Sequence, residues 1–329
     1  MFGRKQTKVT EEVELPRVSI TGAFGKLKSE PDFVQIDSNW REVRVLDDTL
    51  QSVYSELSRA NRLPHFGGCG LLLTGGSDRQ GMLALVYPSE DKSGRFYPFV
   101  LFNRLSEANF YLKPDATFTA SLAAMESTLN IDESVLSVNE PSTDWLASLR
   151  AQPEHCVPME ARLAKRTAMT FAERATFDLW LLEMVGTDIE KRKDIISGLL
   201  ALLSQFKQGR IHRAYHGIWL PLLGGEQRLS SIAFWLQLLT ATMSAQNWRP
   251  DIVWSTGPDN NRLFILTKPL TSSALQTATD AQLAVTGYLG WPDVPAIQNR
   301  SDLQLAVKQW LTKPDASLLD IAIEWYQLL

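Results

Sequence analysis

Few residues in this chain of 329 are spaced for chemistry, and each set that is spaced so has a competing structural reading. His212 and His216 lie four apart, the interval that sets two imidazoles on one face of a helix. No glutamate follows in the metalloprotease pattern, the alternation from Ile211 to Leu222 predicts a strand, and a zinc site needs three or four ligands. His65 and His155 sit in loops beside Pro64 and Cys156. A Cys–His pair makes a nucleophile only when a third group orients the imidazole, and no local acid does so. Glycines 67, 68, 70, 75 and 76 invite a phosphate-loop reading. No Gly-Lys-Ser or Gly-Lys-Thr follows them, and the next element reads as a strand rather than a helix N-terminus, so turn chemistry accounts for them. Asp91 and Arg95 straddle a turn, where a local ion pair is worth under about 1 kcal/mol. Asp32 and Asp91 sit in two polar loops and would form a metal-binding or acid/base pair if those loops made one cleft. No catalytic set, metal site or cofactor site is expected from local pattern.

The loops that hold these residues need strands to carry them. Arg17 to Leu27 predicts a strand, followed by a loop over Lys28 to Val34. Gly70 to Thr74, Gly81 to Tyr87 and Phe96 to Leu105 predict a three-strand meander, with a tight turn at Gly75-Gly76-Ser77-Asp78. The loop between the last two strands, Pro88 to Arg95, carries both kinds of breaker, Pro and Gly. A helix capped by Asp47 or Asp48 carries Leu50, Val53, Leu57 and Ala60 at spacings of three and four, and Pro64 stops it. Further on, Phe118 to Leu129 predicts a helix, Ser137 to Thr143 a linker, and Ala161 to Lys207 a packed helical hairpin. Its arms are Phe171–Val185 and Ile189–Phe206, with Thr187 and Glu190 in the form of a capping box. Ser231 to Ala245 predicts another helix, and Asp251–Thr256 with Leu263–Thr267 a second hairpin. The tail from Ala281 predicts helix, ending with Leu303–Leu311 and Ser317–Leu329. The expected divisions are a mobile lead-in (1–16), the N-terminal part of an α/β domain (17–150), a helical insertion (151–209), the second part of that domain (210–280) and a C-terminal helical extension (281–329).

Composition narrows the class. The chain is 44% apolar and 21% charged, with a net charge of −4, which suits a substantial core and argues against nucleic acid as a partner. No Lys/Arg–aromatic interleaving marks a nucleic-acid platform. Two cysteines, Cys69 and Cys156, form neither a disulfide framework nor a metal site, so a reducing compartment is expected. The first fifteen residues lack the apolar core of a signal peptide, and no apolar run of about 18 residues would insert directly into a membrane. The expectation is a soluble, cytoplasmic protein.

Wording adds what periodicity does not. Phe24-Gly25-Lys26-Leu27, then Ser29 and Asp32-Phe33-Val34, resembles the opening string of the TagF (ImpM) family of bacterial type VI secretion accessory proteins. Pro88-Ser89-x-Asp91-x-x-Gly94-Arg95-x-x-Pro98-Phe99 is similar to a second string of that family, and Ala233-Phe234-Trp235-Leu236 with Trp254-Ser255-Thr256-Gly257 to a looser third. Lys28 stands where the family usually has Pro, Glu30-Pro31 where it has Arg-Gly, and Val253 where it has Trp. The resemblance implies a three-layer α/β/α sandwich with a mixed, largely antiparallel sheet, bearing an added helical hairpin and C-terminal helices. It also implies a non-enzymatic, post-translational repressor of type VI secretion assembly in Gram-negative bacteria. Such a repressor binds components of the apparatus, with the forkhead-associated scaffold protein among those implied. Its candidate contact or motif residues are Gly25, Lys26, Leu27, Ser29, Asp32, Phe33, Pro88, Ser89, Asp91, Gly94, Arg95, Pro98 and Trp254. The two loops should lie together on neighbouring strands, with Phe33, Phe96 and Tyr97 as anchors and Asp32, Asp91 and Arg95 fixing orientation. A structural reading stands beside this: Gly94 turns, Asp91 caps and Arg95 stabilises. Rival functions are a hydrolase or phosphatase-like enzyme using loops 28–34 and 88–95, and an adaptor acting through the C-terminal helices.

Overall fold

The computed structural model describes residues 18–74, 81–105, 114, 117–119, 121–122, 161–243, 248–257, 260–294 and 301–328. The lead-in, the 75–78 turn, the 137–143 linker, the helix expected beyond Leu122, and His155 with Cys156 lie outside these residues. Among the described residues, nine strands form one mixed sheet: β1 (Val18–Gly25), β2 (Val34–Ile36), β3 (Cys69–Leu73), β4 (Gly81–Tyr87), β5 (Phe99–Leu105), β6 (Gly217–Pro221), β7 (Asp251–Ser255), β8 (Arg262–Leu266) and β9 (Tyr288–Gly290). Their order is β2-β1-β5-β4-β3-β7-β8-β6-β9. Only β9 runs parallel to its neighbour, pairing Gly217 with Tyr288 and Trp219 with Gly290.

Both faces of the sheet are covered, which is why β4 reads as a continuous apolar run rather than an alternation. Met82, Ala84 and Val86 face one core with α1 (Arg41–Arg59) and α7 (Ser272–Thr279). Leu83, Leu85 and Tyr87 face the other, built by α3 (Phe177–Val185), α4 (Ile189–Lys207), α6 (Arg228–Met243), α8 (Ser301–Leu311) and α9 (Leu318–Leu328). The expected three layers are therefore present. Helix α2 (Ala161–Arg174) packs on α6 and α9 in the larger layer. That layer is knitted by indoles: Trp180 lies 6.0 Å from Trp235, and Trp325 lies 6.3 Å from Trp180 and 6.0 Å from Trp310. Each such pair adds roughly 0.5–1.5 kcal/mol beyond area burial.

Several boundaries differ from expectation. Helix α1 starts at Arg41, with Trp40 as an extended N-cap, because its buried stripe runs from Val43 and Leu46 through Leu50, Val53 and Leu57. Asp47 is thus mid-helix, not a cap. The cap of α4 is Asp188, whose carboxylate accepts from the N–H of Glu190 and Lys191, so the Thr187 capping box does not form. The strand expected over Ile211–Leu222 begins with a helical turn, α5 (Ile211–Ala214), before β6. The strand expected from Phe96 begins at Phe99, since Pro98 offers no N–H to the ladder and Phe96 makes only an isolated bridge to Glu90. The helical tail expected from Ala281 is interrupted by β9, a run of three residues too short to show a period.

Candidate functional site

Antiparallel pairing of β1 with β5 sets Gly25 opposite Phe99, so the loop leaving β1 and the loop entering β5 emerge side by side. Gly25 takes φ +118°, and a Cβ there would sit 2.1 Å from the Pro98 carbonyl oxygen, so only glycine fits this crossing. Beyond it, Lys26 reaches Asp91 at 3.1 Å and also donates to the Arg95 carbonyl at 3.3 Å. Asp91 is buried and both its oxygens are committed. Oδ1 accepts from the backbone N–H of Ser93 and of Arg95, each at 2.9 Å, and Oδ2 accepts from Arg95 Nε at 2.7 Å. Gly94, at φ +74°, turns the chain so that its N–H reaches the Asp91 carbonyl at 2.8 Å. Desolvation works to raise the Asp91 carboxyl. The hydrogen bonds from the Arg95 backbone, Lys26, the Ser93 backbone and the Arg95 side chain outweigh it and bring the pKa to about 2.

A second set of contacts zips the loops together. Lys28, in the place of the expected Pro, pairs with Glu90 at 3.3 Å, and the Lys92 N–H donates to the Glu30 carbonyl at 3.4 Å. The expected adjacency of the two loops is therefore present. Phe33 packs against Tyr97 with ring centroids 5.4 Å apart, and Phe96 stacks on Tyr54 of α1 at 6.0 Å and meets the edge of Phe66 at 5.7 Å.

The roles of the individual residues divide by burial. Leu27, Ser89, Asp91, Tyr97 and Pro98 are buried, whereas Ser29, Asp32, Phe33, Pro88, Gly94 and Arg95 are exposed. Tyr97 is consequently not a free anchor. Its hydroxyl donates to the Asp47 carboxylate of α1, and burial together with that carboxylate pushes its pKa up. Asp91 likewise cannot orient a partner directly, because it is the hub of the loop. What remains on the surface is Phe33, with Arg95 and Lys28, whose side chains are 65% and 62% exposed. Asp32 is exposed whereas Asp91 is buried, and no hydrogen bond or ion pair joins the two among the described residues.

Trp254 belongs elsewhere. It is fully buried in β7, lying so close over Gly70 that a Cβ there would be 1.9 Å from the ring, and it meets Phe118 edge-on at 5.3 Å. It is a core residue, as is Val253 beside it. His216 packs near Tyr288, with centroids 6.1 Å apart, and among the described residues no group of three or more His, Cys, Asp and Glu is placed to hold a metal ion. Asp47 and Tyr54, which secure the loop from α1, do not stand out in the sequence. Their signal is a spacing of seven, two turns along one helical face.

Residues 22–149 match the family described as TagF N-terminal domain, type VI secretion system-associated. No curated protein matches. Among solved structures, the chain is similar to that of PA0076 from Pseudomonas aeruginosa PAO1 at 14% identity. The match covers 80% of this chain and 96% of that one, with a TM-score of 0.39. The matched stretch contains both strings that the loops carry, Phe24 to Val34 and Pro88 to Phe99, and these are the segments that the Lys26–Asp91–Arg95 cluster joins. Over residues 22–149, then, the chain carries a region similar to the TagF N-terminal domain, which is type VI secretion system-associated.

Proposed function

We propose that this protein is a regulator that represses assembly or firing of the type VI apparatus after translation, by binding one of its components. The observation that supports this reading is the construction of the paired loops. A buried Asp91 spends all its hydrogen-bonding capacity on fixing a rim from which Phe33, Lys28 and Arg95 project. Rigid presentation of an aromatic and an arginine is how a small surface gains binding energy, since little side-chain entropy is left to lose on contact. The forkhead-associated scaffold protein is the first component to test, and the cytoplasm is where the encounter would take place.

No catalytic chemistry is proposed. A carboxyl with a pKa of about 2 and both oxygens occupied is a poor general base and a poor metal ligand, which disfavours the hydrolase reading built on Asp32 and Asp91. The adaptor reading keeps one specific observation in its favour: Leu305, Ile323 and Tyr326 on α8 and α9 are 59%, 48% and 45% exposed.

The test compares surface with scaffold. Phe33→Ala and Arg95→Ala should leave the melting temperature within a few degrees of wild type, yet release secretion in cells and lose the scaffold protein in a pull-down. Leu305→Ser with Tyr326→Ser should leave repression intact. Repression that survives the first pair and fails in the second would transfer the role to the C-terminal helices.

A further inference from the structure

Helices α2 and α3 meet at a corner at Ala175–Thr176, and the angle between them encloses an open cavity of about 600 Å³. One wall is a single face of α2, with Arg166, Thr170 and Arg174 four residues apart. The other is α3, with Leu179 and Glu183, and Phe171 with Trp180 supply apolar lining. Two features of this groove are left unsatisfied by the fold. Leu179, in the groove wall, is 55% exposed, an apolar side chain left uncovered on α3. The two arginines have no acidic residue three or four positions away on their own helix, and among the described residues neither makes an ion pair. Charges nearby are treated differently: Asp178 is paired with Arg192 and Glu190 with Lys193. Arg166 and Arg174 are separated by two helical turns, roughly 12 Å at 1.5 Å per residue.

We propose that this groove binds an acidic amphipathic segment of a partner protein. Two carboxylates spaced about two helical turns apart meet Arg166 and Arg174, and the apolar side chains between them lie on Leu179 and Phe171. Arginine at both ends favours carboxylates through paired N–H donors. Identifying the partner as a secretion component rests on the regulatory reading above. The groove itself does not, because its chemistry can be measured on purified protein without secretion.

The experiment titrates the full chain with a synthetic helical peptide of about five turns. The peptide carries two glutamates two turns apart flanking a pair of leucines, and a second version has lysines in their place. The glutamate peptide should bind at least about tenfold tighter than the lysine peptide. Arg166→Glu with Arg174→Glu should invert that preference while leaving the melting temperature unchanged, and Leu179→Ser should weaken binding of the glutamate peptide. Equal affinity for both peptides, or none for either, overturns the proposal. So does displacement of the glutamate peptide by citrate at comparable concentration, which would make this a site for small polyanions. A large fall in melting temperature on charge reversal also overturns it, since the groove would then be filled by this chain. Phe33→Ala and Arg95→Ala lie in the loops against the α1 layer and should leave peptide affinity intact, so the groove and the loop surface can fail separately.

Discussion

At the scale of single residues, Asp91 decides more than its place in a polar turn suggests. A carboxyl held below its ordinary value of 3.8 contributes stability that is complete above that value and is lost as pH falls toward about 2. The loop should therefore stay ordered through mild acid and loosen between about pH 4 and pH 2. Carboxyl-carbon NMR of Asp91 should titrate with a midpoint near 2, and Lys26→Met should move that midpoint upward. A midpoint near 4 in wild type would mean that the cluster does not form in solution. The sequence made the participants legible, because Gly25-Lys26 and Asp91-x-x-Gly94-Arg95 are distinctive strings. It did not show which of two oppositely charged residues in one turn would be buried. That depends on Lys26, which arrives from 65 positions upstream.

At the scale of elements, the small layer depends on a tie between the ends of its two helices. Arg62, just past α1, donates from Nε and Nη2 to one oxygen of the buried Asp280, just past α7, at 2.9 and 2.6 Å. Its neighbour contact, the Gly67 N–H to the Thr279 carbonyl, closes the same corner. Removing the arginine strips the buried Asp280 carboxylate of its hydrogen-bonded counter-ion and leaves Arg262 as the positive charge acting on it, so Arg62→Ala should cost on the order of 2–3 kcal/mol. Arg62→Ala with Asp280→Asn should recover much of that loss, as read by chemical denaturation. Equal destabilisation by the double and single variants would assign the effect to packing. Elements with a long apolar period, such as α1 and α4, were readable in the sequence, and so was β4. Short ones were not. Helix α5 spans four residues and β9 three, and their identity is fixed by the strand and helix they lie against, through the pairing of Gly217 with Tyr288. The same holds for β2, which reads as loop until β1 supplies its partner through Ala23 and Ile36.

At the scale of the whole molecule, the three layers were expected only through the family resemblance, and their physical reason is that continuous apolar strands require cover on both faces. The strand order was not, since β3 pairs with β4 on one side and with β7 on the other. The C-terminal helices are equally built in: Trp310, Leu318, Ile321 and Trp325 are buried in the larger core, so removing them would open it rather than trim an appendage. The pairing of β3 with β7 also has a consequence in time. Thr74 at the end of β3 donates to Asp251 at the start of β7, a partner 177 residues later in the chain. At about 5–20 residues per second, a growing chain presents β3 with one open edge for roughly 10–35 s before β7 exists. The stretch 22–149 includes β3, β4 and β5 but not β7, so produced alone it keeps that edge open permanently. It should elute from a sizing column as oligomers, and a folded monomer would contradict this. During synthesis, the strand at the centre of the finished sheet is the one most in need of protection.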